Sequence, residues 1–315
     1  MLVSDAIAEF LKHRRGKNVT PATLAQYERV LSYWQAWRVV RGLPPDLGAV
    51  TASDFLDYLT YLTSEHVSQA NTRQQKGLSA NSVASAHRVL RTFWRWADTV
   101  ELLTPEQARF FSRGRIPAPH VPEEPRPTYD ASTFARMLAA AQQPDPELCY
   151  RDQAILCLFK DSGLRVSELC GLRDEDVEAD RRRARVVGKG RKHGFVFWGD
   201  DTAYALERYV QFRGGPPGGW LFRGAGSRNT GGQMTPVAVR RMFRRLAERA
   251  GVTLPRGAPV HALRHTFAHE ALDAGIDISQ VSQLLRHSNV ETTMRYLRED
   301  PEALQEIYQR IHRDS

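Results

Sequence analysis

Six residues in four short segments carry the side chains of this 315-residue chain best suited to chemistry. The segments read SGLRVSELCGL at 162–172, VGKGRK at 187–192, HALRHTFA at 261–268 and LLRHSNVETTMRY at 284–296. They supply Arg165, Lys189, His261, Arg264, His287 and Tyr296. Cations, imidazoles and one phenol make a set suited to holding an anion and moving a proton. Taken singly, each also has a structural explanation. Arg165 is spaced to pair with Glu168 at i, i+3, Lys189 suits the tip of a hairpin, and Tyr296 suits a core. His261, His265 and His269 recur every four residues, as zinc ligands on a helix do. Thr266 stands where HExxH requires glutamate, so a structural or phosphate-contacting role is the better reading and no metal is expected. The chain has no GxxxxGKS/T loop, since GKG at 188–190 lacks its flanking residues, and no GxSxG elbow. ATP use and serine-hydrolase chemistry are unsupported. Cys149, Cys157 and Cys170 form no CxxC pair, which argues against a disulfide scaffold and a thiolate zinc site.

The residues outside these segments bound the problem further. With 42% hydrophobic and 25% charged residues the chain is an ordinary globular protein, and its length predicts about two domains. No stretch approaches the ~18 apolar residues of a membrane span. The first twelve residues are broken by Asp5 and Glu9, as in an amphipathic helix and unlike a secretory signal, so the cytoplasm is the default location. The formal net charge is +8, and only six of the 44 basic residues are lysine. Arginine's fork suits bidentate contacts to phosphate, so a polyanionic partner is expected.

The elements that must position the six residues are also legible. Five prolines in 113–127 cannot continue a helix or a central strand, so that stretch reads as a linker between domains at 1–112 and 128–315. The first domain reads as helices. Thr20 caps one running to about Val40, Thr51 with Asp54 opens another, and Ser79 caps a third to about Asp98. On that third helix Val83, Ala86, Leu90, Phe93 and Ala97 form an apolar stripe, with Asn81, Ser85, Arg88, Arg91 and Arg95 opposite. The second domain is mixed: helices at about 131–142 and 149–162, two strands at 183–187 and 192–198, and a short strand at 220–222. Helices resume at about 235–250, 261–274, 277–286, 290–296 and 301–312. In 235–250 the apolar side is Val239, Met242, Phe243 and Leu246, and Arg240, Arg241, Arg244 and Arg245 line the other. Each such face could simply be solvated, but two of them in two domains favour helices laid on DNA, meeting phosphates and base edges.

Together, the order and spacing of the four segments resemble the tyrosine recombinases, the integrase group that includes the Xer proteins. Arg165 sits where that family has its first arginine, in GLRxSEL, and Lys189 matches the lysine of its β-hairpin turn. His261 and Arg264 fill the HxLRH box, His287 the second His/Trp position, and Tyr296 the nucleophile nine residues later. The resemblance implies a fold that is mainly α with a small β-sheet. A helical, SAM-like core-binding domain and a mixed α/β catalytic domain would form a C-shaped clamp around DNA. It implies that Arg165 and Arg264 offset the charge of a five-coordinate phosphorus. A neutral phenol, with a pKa near 10, is a weak nucleophile, and His261 would help take the Tyr296 proton. Lys189 would protonate the departing 5′-oxygen, His287 would donate to the phosphate, and Glu168 would brace Arg165. A 3′-phosphotyrosyl bond stores the energy of the broken backbone, so neither ATP, metal nor another cofactor is implied.

The family also implies a tetramer on paired double-stranded DNA sites, strand exchange through a Holliday junction, and a nucleoid-associated enzyme. The tail at 301–312 would dock on a neighbouring subunit, and a second recombinase or an accessory protein is a further expected partner. Arg286 departs from the pattern by replacing the glycine usual before the second histidine. Leu297 replaces a polar residue, and the connection at 66–78 is longer than expected. The chain opens at the core-binding helices, so a member without an arm-binding domain is expected. Two alternatives stay open: a type IB topoisomerase that relaxes DNA, and a DNA-binding protein that does not cleave.

Overall fold

The computed structural model describes residues 1–315 except 68–75, 113–117, 123–125, 189–192, 214–217, 225–230, 256–257, 288–290, 295 and 297–315. The chain divides into two compact units, Met1–Glu124 and Pro125–Ser315. Most described residues are helical, and the named strands form one three-stranded sheet.

The first unit is helical because its caps and apolar spacing leave little else. It contains α1 (Val3–Gly16), α2 (Pro21–Val40), α3 (Ala52–Ser64), α4 (Ala80–Thr99) and the short α5 (Pro105–Gln107). The Thr20 side chain accepts the Thr23 N–H, Ser79 accepts from Ser82, and Thr51 with Asp54 forms a reciprocal capping box. These occupy amide groups that a helix start leaves unpaired. The core is aromatic: Phe10, Trp34, Phe55, Tyr58, Phe93 and Trp94 are all essentially inaccessible. Trp94 stacks on Phe111 with ring centroids 4.0 Å apart.

The second unit contains α6 (Ala131–Ala140), α7 (Pro146–Ser162), α8 (Val166–Cys170), β1 (Val177–Glu178), β2 (Arg183–Val187), β3 (His193–Phe197) and α9 (Asp200–Phe212). After these come α10 (Pro236–Ala250), α11 (Pro259–Asp273), α12 (Ile278–Leu284) and α13 (Glu291–Met294). The strands run antiparallel in the order β1-β2-β3, with Val186 opposite Gly194 and Arg185 opposite Phe195. Ala184, Val186 and Val196 face the core, the alternation a one-sided sheet requires. Its centre is α7, whose Ala154, Ile155, Leu156, Leu158 and Phe159 are all buried, packed with the apolar side of α10.

Several expectations change here. Residues 220–222 do not form a strand. Leu221 N–H donates to Leu172, while Phe222 accepts from Met234, so the segment is pinned between two different stretches with no run of paired residues. Of the helix expected at 290–296, the described residues show Glu291–Met294 as helix, and Tyr296 lies in a turn with its N–H on the Thr293 carbonyl. The tail helix expected at 301–312 lies outside the described residues.

One glycine joins this fold to the site. Gly163 ends α7 with φ +54°, the left-handed conformation that glycine adopts at least cost. A Cβ there would also sit 2.9 Å from both Phe267 and Leu285. We therefore expect Gly163→Ala to destabilise the second unit by about 1–2 kcal/mol from the backbone. Overpacking is expected to add about 1–3 kcal/mol. Urea unfolding measures this, and a loss below about 1 kcal/mol would contradict the tight approach.

Candidate active site

The left-handed turn at Gly163 releases the chain into Arg165, the N-cap of α8. The Arg165 backbone N–H donates to Glu168 Oε2 at 2.9 Å, and its Nη1 donates to Oε1 at 2.7 Å. One carboxylate therefore caps the helix and aims the arginine. Glu168 is 3% exposed, and its Oε2 also accepts from Arg286 Nη2 at 3.1 Å. Burial by itself would raise the Glu168 pKa, but the Arg286 charge and the bonds from Arg165 outweigh it, so the carboxyl sits below its ordinary range.

Arg264 projects from α11 and is 1% exposed. Its Nη1 donates to the Gly163 carbonyl at 2.5 Å and its Nη2 donates to the Leu285 carbonyl. The guanidinium is thus fixed by two backbone oxygens, one at the end of α7 and one just past α12. Burial, then the charges of Arg165 and Arg286, push its pKa down to about 9. Glu168 pairs with Arg165 and Arg286 only, so near Arg264 and Arg165 the positive charge is left in excess and suits an anion.

The end of α12 delivers the next residue. Arg286 N–H donates to Gln283 and His287 N–H to Ser282, the paired bonds of a Schellman turn, with Arg286 itself at φ +55°. That conformation costs a non-glycine residue roughly 1–2 kcal/mol. This explains physically why the departure at 286 is unusual. His287 Nδ1 lies 2.7 Å from the Thr293 hydroxyl, and a hydroxyl donating there leaves Nε2 with the proton.

Tyr296 is 2% exposed and packs against Ala268, Ala271, Val281 and Leu285. Its hydroxyl lies 3.0 Å from Nδ1 of His265, not of His261. His261 stacks edge-on against His265 at 4.8 Å, one step further away. The rings of His269 and His287 lie 5.7 and 6.3 Å from the Tyr296 ring, and the Arg126 guanidinium sits over that ring at 5.3 Å. Burial, then neighbouring charges, push His261 and His287 down to about 4 and His265 to about 3. All three imidazoles are neutral at pH 7. Among the described residues no group of three or more His, Cys, Asp or Glu could hold a metal ion.

Five of the six sequence-predicted residues therefore meet in one unit, and Lys189 lies outside the described residues. Sequence reasoning singled out His265 without tying it to Tyr296, and missed Arg126 and the ion pair of Arg286. His265 was visible as the last residue of HALRH, whereas nothing local marks Arg126. The two basic helices are placed separately. On α4, Asn81, Arg88 and Arg95 are exposed, while Arg91 is half-buried and Ser85 accepts a hydrogen bond from Gln26 at 2.8 Å. On α10, Arg240, Arg241 and Arg244 are exposed, but Arg245 turns to the fully buried Asp152, which also pairs with Arg151.

Residues 129–303 match the model of the phage integrase family. The chain belongs to that family. It is 30% identical to the tyrosine recombinase XerC of Xanthomonas campestris pv. campestris (strain B100) over 309 residues, 98% of this chain and 88% of that protein. With XerC of Rhodospirillum centenum it shares 32% identity over 96% of this chain and 84% of the relative. The Tn1549 transposon integrase, solved with circular intermediate DNA, superposes with a TM-score of 0.76 at 21% identity, covering 99% of both chains. The lambda integrase dimer on a COC′ core site gives 0.69 at 18% identity, over 94% of this chain and 95% of that one. These structures share the fold. The protein is thus a Xer-like tyrosine recombinase, an enzyme of site-specific DNA recombination that breaks and rejoins strands. Among the described residues no helix is long and apolar enough to cross a membrane.

The depressed histidines give this recombinase a pH signature. As pH falls from about 6.5, the unfolded chain takes up protons that the folded site refuses until about pH 3 at His265. Stability is therefore lost on acidification through that window. The unfolding temperature is expected to fall from pH 7 to pH 5, and His265→Asn, which keeps an acceptor near Tyr296, should flatten the slope. An unchanged slope in the variant would contradict the buried neutral imidazole.

Proposed function

We propose that the enzyme cuts one DNA strand by in-line attack of Tyr296 Oη on a phosphodiester. The phosphorus–O5′ bond breaks, a 3′-phosphotyrosyl bond forms, and the 5′-hydroxyl leaves after taking a proton from Lys189. Arg165 and Arg264 hold the non-bridging oxygens and offset the charge that grows in the five-coordinate transition state. His287 Nε2 donates to the same phosphate. His261, the family's base position, and His265, the residue bonded to the phenol, share the task of accepting its proton. The reading rests on one observation above all: Arg165, Arg264, His261, His287 and Tyr296 come from three separate segments and converge on one positive cluster of side chains.

The Tyr296 side chain is buried in the free chain, so the phenol must leave His265 before it meets a phosphate. We take this as a held state that DNA releases. Exposed arginines of α4 and α10 supply the grip on duplex DNA, with Arg245 committed to Asp152. The assembly proposed is a tetramer on two paired sites, with the tail at 301–312 as the contact between subunits and with exchange through a Holliday junction. A partner recombinase or accessory protein fits that scheme. The enzyme would work in the cytoplasm, on the nucleoid.

The same experiment tests the chemistry and finds the target sequence. The protein is mixed with fragmented genomic DNA of its source in EDTA without ATP, stopped with detergent, and the attached DNA sequenced. Covalent capture on 3′ ends by the wild type and none by Tyr296→Phe is expected; capture by both would refute Tyr296 as nucleophile. On the captured site Arg165→Ala should slow adduct formation by roughly 10²–10³-fold, the range for losing one transition-state donor. Binding should weaken by roughly 10³-fold or more between about 50 and 200 mM salt, as several phosphates are neutralised. A flat salt response would contradict the two-helix grip.

A further inference from the structure

The Arg286 side chain joins three parts of the second unit. Its Nη2 donates to Glu168 Oε2 at 3.1 Å, and Glu168 in turn holds Arg165. Its Nη1 donates to the Leu284 carbonyl at 2.6 Å, closing the end of α12, and to the Phe195 carbonyl on β3 at 3.3 Å. The aliphatic stem lies across Gly194, where an added Cβ would stand 2.8 Å from Arg286 Cδ and 3.2 Å from Cγ. Gly194 is thus the gap in β3 that lets the arginine pass. The side chain is 13% exposed, so both of its ends are held in place away from solvent. All of this is achieved from a backbone conformation that favours glycine. A residue that only had to turn the chain towards His287 would be better served by glycine. The arginine stands here against that preference, and its contacts say what it does there.

We propose that Arg286 is a positioning residue of the cleavage site: through Glu168 it sets Arg165, and through Phe195 and Gly194 it docks β3 against the end of α12. Strand β3 is one root of the segment 188–192, which carries Lys189 in the sequence. The same clamp therefore ties the strand leading from Lys189 to the arginine that receives the phosphate. Arg286 touches neither substrate nor reacting atoms in this scheme. Its effect is on the rate at which a bound phosphodiester is attacked and not on how tightly DNA is held.

The proposal rests on the recombinase reading for its rate measurement but not for its structural one, and the two are tested separately. Arg286→Gly is a mild probe of the fold, because glycine relieves the left-handed backbone while removing every side-chain contact. In the free full-length protein, hydrogen exchange of the β3 amides is expected to quicken at least tenfold in Arg286→Gly. The unfolding temperature should stay within a few degrees of wild type. With captured site DNA in a single turnover, Tyr296 adduct formation should slow at least tenfold at unchanged DNA affinity. Arg286→Lys, which restores a cation beside Glu168, should recover part of that rate. Exchange and rate both within twofold of wild type in Arg286→Gly would overturn the proposal. So would a rate loss that only mirrors weaker DNA binding. If the wild type itself forms no adduct, the recombinase reading fails, and β3 exchange alone decides the clamp: quickened supports it, unchanged refutes it.

Discussion

A carboxylate with 3% of its surface exposed is tolerable only if cations surround it, and Glu168 is placed among such cations. Left alone in that position it would be driven to its neutral form. Arg286 and Arg165 keep it ionised, and the carboxylate in turn fixes where both of them point. Most of the site follows from that exchange. The turn at Gly163 puts Arg165 at the N-terminus of α8, where Glu168 doubles as helix cap. The same turn offers its carbonyl to Arg264, whose other anchor is the carbonyl of Leu285 beside Arg286. Two guanidinium groups thus share one carboxylate while Arg264, held by backbone carbonyls, adds a third cation nearby, and the unbalanced charge is what a phosphate would neutralise. In a cluster prearranged in this way, the cost of crowding like charges is met during folding, before any anion arrives.

Tyr296 shows the opposite design. The cations are fixed and aimed, whereas the phenol is covered by α11 and α12 residues and tethered to a neutral histidine. Arg126 lies over its ring, and Arg126 belongs to the proline-rich stretch that reads as a linker in the sequence. The Tyr296 ring thus touches the segment that opens the second unit. Reading the chain for motifs alone could not reveal that contact, since Arg126 and Tyr296 are far apart in sequence and share no periodicity.

What was legible in the sequence was local. The caps at Thr20, Thr51 and Ser79 act within three residues, and each helix begins where its cap requires. Arg165 and Glu168 pair at the i, i+3 spacing that a helix start imposes. The apolar stripes of α4 and α10 are buried as their spacing requires. The failures are not local. Arg245 carries no sign in its own helix that Asp152, on α7, will claim it. The segment 220–222 has the composition of a strand, but its neighbours offer one hydrogen bond on each side instead of a ladder. His265 is visible in the sequence as one of three histidines at helical spacing, but the family pattern assigns the proton to His261, whereas the structure sets the Tyr296 hydroxyl against His265.

The central claim is a covalent bond between Tyr296 and a DNA 3′-phosphate, formed without an external energy source. The most direct measurement is to weigh it. Detergent-stopped complexes are digested to completion with nuclease and protease, and the peptide containing Tyr296 is fragmented in a mass spectrometer. The account predicts the mass of a short 3′-linked nucleotide on the Tyr296 side chain, and on no other residue. The unmodified Tyr296 peptide together with a nucleotide on a different side chain would contradict it.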